Sequence, residues 1–136
     1  MAEQPSNKKL GVFLWVLQIV LAVMYLMAGI QKAFGDLSVV VKTIFWIAFT
    51  PPLLVRFIGV GELLGAIGLI LPAALKIRPQ LTTLAAAGLA LIMLLANLMH
   101  IYRGEFFVLP MTLLMFAMAG FVAYGRWKLA PVTPNA

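Results

Sequence analysis

The 136-residue chain has no cysteine. It therefore holds no disulfide, no thiolate nucleophile, no Cys-ligated zinc and no iron–sulfur cluster on its own residues. Histidine occurs once, as His100, so haem held by two histidines of one chain is excluded and a metal site is poorly supported. Acid is scarce as well: Glu3, Asp36, Glu62 and Glu105 are the four carboxylates, against ten Lys and Arg. Ser6 and Ser38 lie outside the long apolar runs, which leaves a Ser/His/Asp hydrolase without its parts. No phosphate loop or dinucleotide fingerprint is present, since the glycines between 59 and 68 sit inside an apolar run. Charged residues make up 10% of the chain, against ~25% in a typical soluble protein. That excludes an ordinary soluble domain. The net charge of +6 sits mostly in flanks and loops and forms no patch with interleaved aromatics, so it carries topology information and does not mark a nucleic-acid surface.

What is there is apolar. Four runs, at 10–34, 53–72, 81–102 and 109–125, are long enough to cross a bilayer, which takes ~20 mostly apolar residues. The first is too long for a signal-peptide core of ~7–15 residues. The expected fold is all-α: a single polytopic membrane domain of four transmembrane helices. Gly35 and Asp36 break the first helix, and 38–49 is too short to span, so it reads as an interfacial or re-entrant segment with Trp46 near the headgroups. Thr50-Pro51-Pro52 reads as a capped start for the second helix, and Pro72 as its end. Arg126, Trp127 and Lys128 read as an interfacial anchor, with a disordered tail over 129–136. Lys8, Lys9, Lys76, Arg78, Arg126 and Lys128 fall on one side, Lys32, Lys42, Arg56 and Arg103 on the other. By the positive-inside rule both termini are expected in the cytoplasm, with the protein in a bacterial inner (plasma) membrane.

The second run, LLVRFIGVGELLGAIGLILP, organises the rest. Its carboxylate, Glu62, sits near mid-depth, where a charge costs on the order of 3 kcal/mol or more. Gly59, Gly65 and Ala66 share its helical face, and Gly61 and Gly65 have the spacing of a close-packing motif. Glu62 is thus expected to face protein, and to need a partner or stay protonated. Glu62→Leu is expected to leave thermal stability in detergent unchanged or higher while function is lost. In the first run Gln18, Tyr25 and Lys32 are spaced by seven and stack on one face. That stripe either lines the interior or reflects a packed Tyr25 and a Lys32 that snorkels to the interface. In the third run Asn97 and His100 share a face, just before Arg103-Gly104-Glu105. The fourth run offers only Thr112 as an interior polar residue and reads as scaffold.

With the first and third helices running outward and the second returning, Tyr25, Lys32, Arg56, Glu62, Asn97, His100 and Arg103 could converge on one cavity open to the outside. Intramembrane ionisable groups are functional candidates by default. A purely structural hydrogen-bond network remains the alternative.

Three stretches carry a resemblance: Ala28-Gly29-Ile30-Gln31-Lys32; the run from Gly61-Glu62-Leu63-Leu64-Gly65 to Pro72; and His100-Ile101-Tyr102-Arg103-Gly104-Glu105. Together, over about residues 10 to 128, the chain resembles the DoxX-like family of small four-helix membrane proteins. The resemblance implies a four-helix membrane fold and points again to Lys32, Glu62, His100 and Arg103. The family is named after a membrane subunit associated with a thiosulfate:quinone oxidoreductase. Other members are linked to redox-stress complexes or to chaperone-like and trafficking roles. The expectation is a membrane subunit of an oxidoreductase-type system that binds a quinone or other lipophilic small molecule. Glu62 and His100 would exchange protons, Tyr25 would donate a hydrogen bond, and Lys32, Arg56, Asn97 and Arg103 would complete the binding site. A partner protein would handle electrons, and a homodimer is expected. Two alternatives stand beside this: a non-catalytic chaperone or assembly subunit, and an acid–base enzyme acting on a lipophilic substrate.

Overall fold

A computed structural model describes residues 5–134. All its regular elements are helical. α1 (Pro5–Phe34) leads into a short helix α2 (Leu37–Val40) and a 3-10 turn at Phe45–Phe49. α3 (Pro52–Leu75) and α4 (Gln80–Tyr102) follow; a 3-10 turn at Phe106–Val108 then opens α5 (Leu109–Tyr124). A wide π-type turn, Gly125–Leu129, closes the helical part. Four stretches are long and apolar enough to cross a membrane: Lys8–Phe34, Pro52–Leu75, Gln80–Tyr102 and Phe106–Leu129.

The helices pack in sequence order, α1 on α3, α3 on α4 and α4 on α5. Inward faces follow helical spacing. On α1 the buried stripe is Leu14, Gln18, Leu21, Tyr25, Gly29 and Lys32, while Val12, Val16, Ile19, Val23 and Ile30 are exposed. Such exposed aliphatic faces suit lipid, which is as apolar as they are. α1 and α5 meet at the end that carries the termini. There Phe121 packs edge-on to Phe13 at 6.0 Å between ring centroids, and Gly125 leaves room for Leu14.

The segment after α1 is interfacial in form, as its length suggests. Asp36 does more than break α1: its carboxylate accepts from Ser38 N at 3.0 Å and Ser38 Oγ at 2.6 Å, capping α2. Those two bonds, chiefly the hydroxyl's, hold its pKa below the usual carboxylate range. Thr50 does not cap α3. Its hydroxyl donates to Trp46 O at 3.1 Å, and Pro51 takes the cap position without a side-chain bond.

α3 also departs from expectation at its far end. Pro72 lies inside the helix, which runs on to Leu75. Proline has no N–H for the carbonyl four residues back. That carbonyl, Gly68 O, accepts instead from Thr82 Oγ1 of α4 at 2.9 Å, and the next one, Leu69 O, accepts from Gln18 Nε2 of α1 at 2.6 Å. Membrane helices tolerate proline where neighbours re-satisfy the freed backbone. After the last helix, Ala130 lies within the stretch expected to be disordered, yet it is buried and bonded through both its N and its O.

Candidate functional site

Small residues bring α1 and α3 together. A Cβ on Gly59 would lie 2.8 Å from Lys32 Cβ, and one on Gly29 would lie 3.0 Å from Gly59 O. At this approach Lys32 Nζ donates to Glu62 Oε1 at 2.6 Å. Glu62 is 1% exposed and Lys32 6%. The partner Glu62 needs is thus Lys32, which does not snorkel away. A buried ion pair gains Coulomb energy in low dielectric but loses hydration, so the geometry must be close for the two terms to balance.

The pair is not fully satisfied. Glu62 Oε2 is buried without a hydrogen-bond partner, and so is the hydroxyl of Tyr25. Tyr25 lies two turns before Lys32 on the same buried stripe and is 1% exposed. More than nine in ten buried backbone polar groups, and most buried side-chain ones, have partners, so two orphans beside one ion pair mark a place of interest.

Trp46 covers Lys32, with its ring centroid 5.2 Å from Nζ. The 3-10 turn that carries Trp46 also carries Phe45, 6.2 Å from the His100 ring, and Phe49, 4.1 Å from Arg103 Cζ. One turn of aromatics therefore touches three of the polar residues singled out in the sequence. Arg56 is placed differently: its Nη1 donates to Lys32 O at 3.2 Å and to Gly35 O at 2.7 Å, holding the last carbonyls of α1.

His100 belongs to a second group. Its Nδ1 lies 3.1 Å from Glu105 Oε1, and Arg103 Nε lies 3.3 Å from the same oxygen. A carboxylate oxygen at this distance suits the tautomer in which Nδ1 is the donor. Asn97 forms a third group, accepting from Thr112 Oγ1 at 2.6 Å and donating to Met93 O at 2.8 Å. α5 thus contributes its single interior hydroxyl to α4.

Four participants are not legible as site residues in the sequence. Glu105 reads only as part of a polar turn, Trp46 only as an interfacial aromatic, and Thr82 carries no signal. Arg126 reads as an interfacial anchor but is buried, donating to Gln18 Oε1 at 2.7 Å, Ala130 O at 2.9 Å and Gly11 O at 3.1 Å. No group of three metal-ligating side chains occurs among the described residues.

The sequence profile of the DoxX-like family matches residues 16–122, from α1 to within α5. The chain belongs to that family. The matched segment holds Gln18, Tyr25, Lys32, Glu62, Asn97, His100 and Arg103, and stops before Arg126. No curated protein and no solved structure matches the chain.

Proposed function

We propose that the chain is the membrane subunit of an oxidoreductase-type system, and that Tyr25, Lys32 and Glu62 take the polar headgroup of a quinone-like lipophilic molecule. The observation that carries this reading is the pair of buried orphans, Tyr25 OH and Glu62 Oε2, beside the Lys32–Glu62 ion pair. A phenol hydroxyl can donate to a quinone carbonyl, and a carboxylate oxygen can accept from a quinol hydroxyl. When bound, such a ligand supplies two-electron, two-proton chemistry, with its electrons exchanged with a partner protein. On this reading Glu62 holds or releases the proton at the headgroup. His100, with Nδ1 fixed by Glu105, relays protons at the outer end, near Arg103 and Asn97. Arg56 positions Lys32 through the backbone instead of holding an anion.

Entry requires movement. The cavities of about 540 and 340 Å³ are lined by other residues, so the headgroup reaches Tyr25 and Glu62 when the aromatic turn Phe45–Phe49 lifts. The same reading places the protein in a bacterial inner membrane with both termini cytoplasmic, acting as a homodimer.

One observation favours a second reading, a non-catalytic assembly subunit: most buried polar groups satisfy one another, as in Asn97 with Thr112 and Gln18 with Arg126. Native mass spectrometry from mild detergent separates the two. A stoichiometric quinone that is lost in Glu62→Gln supports the first. An intact complex with a partner protein and no small molecule, unaffected by Glu62→Gln, supports the second and removes the first.

A further inference from the structure

At the opposite end of the bundle from the aromatic turn, Arg126 is buried to 7% exposure and has no counter-ion among the described residues. The carboxylates of the described residues are engaged elsewhere: Asp36 with Ser38, Glu62 with Lys32, Glu105 with His100 and Arg103. A guanidinium has five N–H donors. Arg126 uses three of them, on Gln18, Ala130 and Gly11, all neutral acceptors. Buried charges are normally paired, because an uncompensated one loses its hydration for nothing.

Arg126 lines a chamber of about 540 Å³, together with Gln80, Thr83, Trp127 and Pro131. Leu84 lines this chamber and also a second cavity, an apolar groove of about 340 Å³ between α3 and α4. The groove floor is small, with Gly61, Gly65, Gly68, Ala85 and Gly88. A Cβ on Gly88 would meet nothing within 4 Å, so the groove is open there. A mostly apolar chamber, with a cation in its wall that has no counter-ion among the described residues, thus adjoins an apolar groove along a spanning helix at Leu84. Basic pockets between helix ends suit phosphate headgroups.

We propose that this end of the bundle binds an anionic phospholipid, its phosphate against the free N–H groups of Arg126 and one acyl chain in the groove between α3 and α4. Arg126 is an anion-binding residue here, and Gln80 and Thr83 offer it polar company. The site lies apart from Tyr25 and Glu62 and does not depend on what they bind.

The test is thermal unfolding of the full chain in neutral maltoside detergent, titrated with phosphatidylglycerol, phosphatidylcholine or inorganic phosphate. A ligand specific to the native state raises the midpoint in proportion to its occupancy. Phosphatidylglycerol is expected to raise it saturably, with little effect from the other two. Gly88 lines the groove but not the Arg126 chamber, so Gly88→Leu fills the groove alone and should weaken phosphatidylglycerol about tenfold or more, as expected when about two methylenes of the acyl chain are kept out of the groove. Arg126→Lys should keep the preference for the anionic lipid with lower affinity, and Arg126→Gln should remove it. Arg126 also tethers Gln18 and Gly11, so Gly88→Leu carries the test if Arg126→Gln does not fold. Equal shifts with phosphatidylcholine, or with inorganic phosphate, overturn the proposal. So does an unchanged affinity in Gly88→Leu, which assigns the effect to the exposed Lys76, Arg78 and Lys128.

Discussion

Removing one member of the Lys32–Glu62 pair leaves the other charge buried. Breaking a buried ion pair in this way costs about 3–5 kcal/mol, while replacing both partners by apolar groups is often neutral. Glu62→Leu alone should therefore lower the unfolding midpoint in detergent, and the double change Lys32→Met with Glu62→Leu should restore most of it. This reverses the expectation from sequence that Glu62→Leu leaves stability unchanged or higher, because Lys32 would stay buried without its partner. Tyr25 behaves oppositely. Its hydroxyl has no partner, and an unsatisfied buried donor costs about 1–3 kcal/mol. Tyr25→Phe should leave the midpoint unchanged or higher, read in the same assay. A clear fall would mean that the hydroxyl is bonded within the empty protein.

At the scale of the element, the break in α3 tests how neighbours support a helix. Thr82→Val removes the donor to Gly68 O and should cost about 1–3 kcal/mol. Pro72→Ala restores a backbone N–H to that carbonyl, so Thr82→Val should cost much less in the Pro72→Ala background. Equal costs in both backgrounds would disconnect Thr82 from the proline. The cap of α2 gives a pH prediction. The folded pKa of Asp36 lies below its unfolded value, ~3.9 for a free Asp. Its contribution is complete above that unfolded value and is lost as pH falls through the lower folded one. Amide exchange at Ser38 should be flat from neutral to mildly acidic pH and accelerate in stronger acid. Asp36→Asn, which can still cap, should flatten the profile.

For the whole molecule, periodicity carries most of what is legible. The seven-residue spacing of Gln18, Tyr25 and Lys32 predicts a buried stripe on α1, and all three are buried. The small residues around Glu62 predict close helix packing, and Gly29 and Gly59 supply it between α1 and α3. Illegible features depend on contacts between separate elements. Pro72 reads as a helix end because the donors that relieve it, Gln18 and Thr82, belong to other helices. Arg126 sits in an anchor-like Arg-Trp-Lys run, and only its bond to Gln18, 108 residues away, turns it inward. His100 is visible as a candidate, but Glu105, its partner, lies beyond the helix end in a stretch that reads as a turn.

The central claim is that Tyr25 OH and Glu62 Oε2 are the contacts of a quinone-like headgroup. Its most direct measurement is a titration of purified protein with a short-chain quinone, followed by tryptophan quenching, since Trp46 lies against Lys32. Wild type should bind saturably, while Tyr25→Phe and Glu62→Gln should each bind about tenfold more weakly or worse, as expected for the loss of one hydrogen bond in a dry site. Their unfolding midpoints are read on the same preparations. Wild-type affinity in both folded variants would contradict the account.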